Sequence, residues 1–150
     1  MTLRTFVLTL HIAGVAAWLG ANFVQMVLAP RFAKASNEVA AAWTRQTIWL
    51  GERYYSAVGA LILITGVVLV IDGDWRWSTK FILLGIATVF IGGILGLAVF
   101  APLAEKRVDA LEAGDDVAAA KAMQRIIPWG AFDTVLVLIT MLAMVDRWGL

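Results

Sequence analysis

Four polar side chains capable of chemistry fall on one line along the first apolar run of the sequence. They stand at relative positions 0, 7, 11 and 14 and are His11, Trp18, Asn22 and Gln25. At about 100° per residue, a helix places all four within roughly 60° of one another. Polar groups in hydrocarbon are costly and usually face the interior of a bundle. The pattern therefore predicts a polar stripe that faces other helices, and interhelical hydrogen bonding is the favoured role of Asn22 and Gln25.

His11 is the only histidine, and the sequence has no cysteine. A neutral imidazole binds a metal through one ring nitrogen while the other donates a hydrogen bond that fixes the tautomer. His11 is thus a candidate ligand for haem iron, or for copper in a His and Met site. Met141 and Met144 are the methionines nearest its depth. The alternative is a structural histidine that binds no cofactor.

One threonine on each of the other apolar runs is predicted to lie at the level of His11. With a rise of about 1.5 Å per residue, Thr65, Thr88 and Thr140 all come to roughly 9–12 Å from the outer membrane surface. Small residues lie beside this layer: Gly14, Gly66 and Gly85. They would leave space for a planar ring. Lys80 stands at the rim, where its amine would reach inward to a cofactor or outward to lipid headgroups.

Asp133 is the only charged residue between positions 126 and 145. A carboxylate inside a membrane span marks a functional site by default. The structural alternative is a partner for Arg53 or for a tyrosine, and the sequence leaves both roles open.

Gly92 and Gly96 form a GxxxG pair, which permits the close approach of another backbone. That backbone would belong either to the same bundle or to a second copy of the chain, so this face is a candidate surface for a homo-oligomer.

The overall composition is that of an integral membrane protein. The 150 residues are 61% hydrophobic and 15% charged, whereas soluble domains are near half apolar and a quarter charged. A net charge of +1 supplies no basic field for nucleic acid. These values argue against a water-soluble enzyme, a nucleic-acid-binding module and a disordered regulator, and they make the lipid bilayer the expected partner.

Charged residues are concentrated between four apolar runs, near residues 5–29, 53–71, 79–102 and 126–146. Spanning a bilayer takes roughly 20 mostly apolar residues, and backbone groups in lipid require a helix. We therefore predict an all-α transmembrane four-helix bundle that forms a single integral membrane domain over residues 1–150.

The connections 31–52 and 105–125 are predicted to be helical as well, so that the second and fourth helices begin outside the lipid. Residues suited to capping these helices are Asn37, Gly114 and Asp115. Pro30 and Pro102 are expected to bend or end the first and third helices.

A short similarity links the two halves of the chain at an offset of 72 residues. LAP at residues 28–30 and FAP at residues 100–102 are each followed by a charged linker and a Val-Ala-Ala-Ala segment. This pattern predicts two helical hairpins related by an axis along the membrane normal. Chance similarity of low-complexity segments is the alternative.

The segment LHIAGVAAWLG at residues 10–20 resembles the first helix of a group of small bacterial membrane proteins. The group includes the CopD copper-resistance domain, the HemJ-type protoporphyrinogen oxidases and the DUF2269-type family. Further similarities to HemJ lie in Phe23, Pro30-Arg31-Phe32, Glu52-Arg53-Tyr54-Tyr55 and Trp77-Ser78-Thr79-Lys80. The resemblance implies the bacterial cytoplasmic membrane, with haem b or another tetrapyrrole bound through His11 and Lys80. The other HemJ histidines have no counterpart here, and no enzymatic reaction is assigned.

The sequence is therefore compatible with three functions. The first is a protein that binds haem or another tetrapyrrole through His11. The second is a copper-handling or small-solute transport component. The third is a structural membrane subunit without a cofactor, in which the polar stripe only joins helices.

The distribution of Lys and Arg predicts the orientation of the four spans. Eight of these residues lie in the connections 31–52 and 105–125 and at their edges, against four at the other end of the spans. Because Lys and Arg are enriched in cytoplasmic loops, we expect both connections in the cytoplasm and both termini outside. Reporter fusions after residue 115 and at the C-terminus check this, and an external signal at residue 115 would reverse the assignment.

Overall fold

The computed structural model describes residues 2–149. Within them the chain forms four long helices and no strand: α1 (Leu3–Phe32), α2 (Asn37–Asp72), α3 (Lys80–Glu112) and α4 (Asp116–Val145). Each helix is long and apolar enough to cross a membrane. The predicted all-α four-helix class is confirmed.

The helices extend well beyond the predicted spans. The predicted second and fourth spans are the later parts of α2 and α4, which begin at Asn37 and Asp116. Short polar turns separate the helices, and Asp115 caps α4 by accepting a hydrogen bond from the backbone N–H of Ala118 at 2.9 Å. The preceding Gly114 has a φ of +73°, which favours glycine. The connections are therefore helical, as their sequences predict.

The two prolines near the ends of the odd helices behave differently. Pro30 lies two residues before the end of α1. Pro102 does not end α3, which continues to Glu112. A π-helical segment, Gly96–Phe100, lies just before it. Proline removes one backbone donor and crowds the carbonyl four residues earlier, and that carbonyl belongs to Ala98 inside the wider π segment. The local change in helix type thus accommodates Pro102 without a break.

A second π segment, Leu50–Tyr55, lies inside α2. It stands before the most apolar part of its helix, whereas the segment in α3 stands after it. The two π segments therefore do not follow the offset of 72 residues, and the hairpin repeat stays a prediction.

The ends of the bundle are distinct. At the terminal end, Arg4 lies 3.9 Å from Asp72, and the backbone N–H of Phe81 donates to Trp148 O at 3.2 Å. At the connection end, a small apolar core joins α2, α3 and α4. It consists of Ala40, Ala41, Leu111 and Ala119. Both described ends of the chain therefore lie on the same side of the bundle.

Many large apolar side chains point away from the bundle, among them Ile64, Ile94 and Leu97, which is 82% exposed. In water such a surface would be unfavourable. The four apolar helices are compatible with contact to a lipid bilayer.

Replacing Asp115 with alanine should lower the free energy of unfolding by about 1 kcal/mol, because the first turn of α4 loses its side-chain acceptor. The measurement is thermal or denaturant unfolding of the detergent-solubilised protein. Asp115→Asn keeps a capping oxygen and is the matched control. Equal losses in the two variants would contradict a capping role.

Candidate functional site

His11 is held against α2 by two polar contacts. The imidazole is 8% exposed, and its Nδ1 lies 3.1 Å from Ile62 O and 3.0 Å from Thr65 Oγ1. The Thr65 hydroxyl lies 2.6 Å from Leu61 O, one turn earlier on α2. Of the threonines predicted at this level, the structure brings Thr65 to His11.

These contacts determine where the proton of the imidazole resides. Ile62 O can only accept, and the Thr65 hydroxyl uses its single proton toward the backbone of its own helix. Nδ1 must therefore carry the proton and donate it. In the neutral ring, Nε2 is then the nitrogen with a free lone pair, and it makes no hydrogen bond within residues 2–149. This is the tautomer that a histidine ligand requires, with its second nitrogen fixed by a carbonyl.

Thr88 and Thr140 form a separate pair between α3 and α4. Their hydroxyl oxygens lie 2.6 Å apart, and each also lies 2.8 Å from a carbonyl of its own helix. The two hydroxyls have two protons for these three contacts. Since oxygens 2.6 Å apart need a proton between them, one hydroxyl donates to the other. The predicted layer is thus two pairs, His11 with Thr65 and Thr88 with Thr140.

A cavity of about 30 Å³ lies among all four helices beside the Thr88–Thr140 pair. Val15, one helical turn beyond His11, lines it, and so does Ile62, whose carbonyl accepts from His11. The sulfur-containing side chains of Met141 and Met144 complete the α4 wall. Met141 also reaches the protein surface, since it is 36% exposed.

Side chains occupy the space that the glycines at this level were predicted to leave. A Cβ at Gly14 would lie 2.8 Å from Ile62 Cγ1, and one at Gly85 would lie 2.5 Å from Met144 Cε. At Gly66, the neighbour is His11 Cε1 at 3.3 Å. These glycines therefore allow close packing of side chains and do not leave a slot for a ring.

The size of the spaces tests whether the predicted tetrapyrrole fits. Pockets for drug-sized ligands measure roughly 300–1,000 Å³, so the cavity beside Thr88 is far too small. An open groove of about 380 Å³ lies between α1 and α2, but His11 does not line it. The phenol of Tyr54, in the wall of this groove, donates to Ala17 O at 3.0 Å. A tetrapyrrole bound by His11 does not fit inside this bundle.

Lys80 begins α3 at the terminal end and is exposed. Its Cγ and backbone N pack where a Cβ of Gly149 would stand, at 3.0 Å. It makes no hydrogen bond or ion pair through its side chain within residues 2–149. The structure does not bring it into contact with His11 or with the three threonines.

The other half of the polar stripe meets Asp133 in a buried hydrogen-bond network. Asp133 Oδ2 accepts from Trp18 Nε1 at 3.1 Å and from Asn22 Nδ2 at 2.8 Å. The Tyr55 hydroxyl donates to Asn22 Oδ1 at 2.6 Å, and Gln25 Nε2 donates to the Tyr55 oxygen at 2.7 Å. We call these five residues the Asp133 network. It joins α1, α2 and α4.

The partner of Asp133 differs from the one that the sequence suggests. Arg53 is exposed and makes no ion pair among the described residues. Tyr55 belongs to the network through Asn22 and not by direct contact. Of the two amides predicted to join helices, Asn22 donates directly to the carboxylate, whereas Gln25 is connected to it only through Tyr55 and Asn22. The sequence suggests a tyrosine as one structural partner of Asp133 without indicating that it is Tyr55. The sequence feature that could have identified Tyr55 is its position at the start of the apolar part of α2.

Gly92 lies against the network and not against a second backbone. A Cβ at Gly92 would stand 2.5 Å from Trp18 Cζ2 and 3.4 Å from Asp133 Oδ1. At Gly96 no atom lies within 4 Å of the corresponding position. Gly92 of the GxxxG pair thus accommodates the indole of Trp18. A homo-oligomer through this face stays a prediction.

Gly92→Ala should reduce the free energy of unfolding by about 1–3 kcal/mol, because the new methyl group overlaps the indole and strains its bond to Asp133. Gly93→Ala is the matched control, since no atom lies within 4 Å of that position. Alanine in a helix is intrinsically better than glycine, so the control should unfold at the same temperature or higher. Equal melting temperatures for the two variants would contradict the close contact.

Known proteins do not extend this description. No family model, no curated protein and no solved structure matches the chain. The resemblance of its short motifs to CopD, HemJ and the DUF2269-type family stays a prediction.

Proposed function

We propose that the protein is a copper-handling membrane component that holds Cu(I) in the cavity among the four helices. The observation that carries the proposal is the lining of this cavity by two thioethers, Met141 and Met144, across from Val15, which lies one helical turn from His11 on α1. Soft thioether and imidazole ligands favour Cu(I) over hard cations. The copper ion is the cargo of the protein and not a resident catalytic group.

The volume of the cavity distinguishes between a metal ion and a tetrapyrrole ring as its occupant. About 30 Å³ corresponds to roughly one water molecule, which is the scale of a single metal ion. A tetrapyrrole is an order of magnitude too large. Haem binding by His11 is therefore not supported within a single chain, and the copper alternative is the better fit to the space.

The chemistry of the lining also favours a soft cation. The described residues contain no group of three or more His, Cys, Asp or Glu that could hold a metal ion, so a ligand set in this cavity has to include the thioethers. The hydroxyls of Thr88 and Thr140 are already engaged with each other and with their own helices. The donors left in the lining are the two sulfurs. His11 does not line the cavity, but it stands one helical turn from Val15, which does, and its Nε2 lone pair is free to bind.

Met144→Leu should weaken Cu(I) binding at least about tenfold, the loss typical when the surroundings of a metal are altered. Exchange of Met for Leu conserves volume and usually costs less than about 1.5 kcal/mol of stability, so the variant should remain folded. Binding is measured by competition with a Cu(I) chelator under anaerobic conditions, followed by metal analysis of the purified protein. Met123→Leu, which changes a methionine outside the cavity, is the matched control and should bind as the native chain does.

His11→Asn separates metal binding from structure at the first helix. An asparagine amide can still donate to Ile62 O in place of Nδ1, but it offers no aromatic nitrogen lone pair. We expect weaker Cu(I) binding with little change in melting temperature. If both this variant and Met144→Leu bind copper like the native chain, or if the native chain binds none, the copper proposal fails.

The haem alternative has its own readout in the same preparation. Protein purified from cells supplied with haem should show no stoichiometric Soret band. A band that disappears in His11→Ala would restore the tetrapyrrole function and would require a site formed by more than one chain. Absence of both copper and haem would leave the structural role of the polar stripe.

A further inference from the structure

Asp133 is the only buried carboxyl group among residues 2–149, and one of its oxygens has no hydrogen-bond partner there. The residue is 5% exposed. Oδ2 accepts two hydrogen bonds, from Trp18 and from Asn22. Oδ1 is buried and makes no hydrogen bond within residues 2–149. Its environment includes the Gly92 position, where a Cβ would lie 3.4 Å away.

No cation faces this carboxyl group from the surrounding helices. The groups nearest to it are neutral donors on α1, the phenol of Tyr55 on α2, and Thr134 on its own helix, which shares the amide of Asn22. Tyr55 is the one titratable neighbour, and it acts through Asn22. On α3, the neighbour is Gly92, which has no side chain.

These surroundings provide no positive charge to compensate a carboxylate. An isolated carboxylate in hydrocarbon is very costly unless a charge or several donors compensate it. Here two donors serve Oδ2 and none serves Oδ1. A proton on Oδ1 removes the net charge and leaves Oδ2 as the carbonyl oxygen that accepts from Trp18 and Asn22.

Trp18 connects this carboxyl group to the cavity. Its indole lines the cavity, and its Nε1 donates to Asp133 Oδ2. A monovalent cation in the cavity would therefore stand across one side chain from Asp133. In a medium of low dielectric constant, such a charge would attract an ionised carboxylate on the other side of the indole.

We propose that Asp133 is a proton-binding site whose proton is exchanged for the cation that enters the cavity. The O–H bond at Oδ1 breaks when Cu(I) binds, and the proton is released to water, so that the charge inside the bundle does not change. The exchange rests on the copper function proposed above, whereas the protonated state of Asp133 without copper does not. Trp18 and Asn22 are positioning residues, since they donate to Oδ2 and bind neither the proton nor the ion.

Infrared difference spectroscopy of the protein in lipid vesicles tests both parts. Without copper at neutral pH, we expect the C=O stretching band of a protonated carboxyl group, shifted by deuterium oxide. The band should be absent in Asp133→Asn and unchanged in Asp146→Asn, which alters an exposed carboxylate just beyond the end of the same helix. Addition of anaerobic Cu(I) should bleach the band in proportion to the copper bound, with release of one proton per ion into weak buffer.

The outcomes of this experiment distinguish the proton site from the exchange with copper. Absence of the carboxyl band in the native chain overturns the proton site. Copper binding without loss of the band and without proton release overturns the exchange. If no copper binds while the band is present, the copper function and the exchange fail together, but the proton site stands.

Trp18→Phe supplies a second variant in case Asp133→Asn does not fold. It keeps the carboxyl group but removes one hydrogen bond to its carbonyl oxygen, so the C=O band should move to higher frequency. A merely structural Asp133 that is ionised would give no such band in either protein. An unshifted band would contradict the contact between Trp18 and the protonated carboxyl group.

Discussion

The contact between Trp18 and Asp133 is the interaction on which the centre of the bundle depends. It joins the first helix to the last, over a separation of 115 residues, and both side chains are buried. The indole that makes this bond also fills the space beside Gly92 and forms a wall of the small cavity. A residue with a smaller ring would leave the carboxyl group, the glycine face and the cavity all incompletely packed. One side chain thus determines how closely α1, α3 and α4 approach.

The polar groups of the bundle are divided into two levels with different chemistry. Near the terminal end, His11 contacts Thr65 and Thr88 contacts Thr140, and the second pair lines a cavity with apolar and sulfur-containing walls. Toward the connection end, the Asp133 network contains the acid and both amides. The levels share Trp18 alone among the side chains described. An ion at one level and a proton at the other would therefore influence each other through a single indole.

The sequence predicted the four helices because their apolar runs are separated by charged residues. It placed His11 on a stripe with Trp18 and Asn22, and it placed Thr65, Thr88 and Thr140 at one level. It could not predict which side chains meet, since the rotation of each helix about its axis depends on packing with its neighbours. This is why Thr88 bonds to Thr140 and not to His11. The same limitation applies to the glycines, whose neighbours are known only when the helices are assembled.

The π segment at Leu50–Tyr55 has a consequence for how α2 serves two sets of neighbours. A π turn contains about one residue more than an α turn, which rotates the following part of the helix by roughly 100° relative to an unbroken α-helical repeat. Before this segment, Ala40, Ala41 and Thr44 are buried at the connection end, and Thr44 accepts from Arg107 of α3. After it, Ile62 and Thr65 face His11 of α1. The extra residue thus rotates the later part of the continuous α2 helix relative to its earlier part. Deleting one residue there would restore a uniform repeat, and the two halves of α2 could no longer face both partners together.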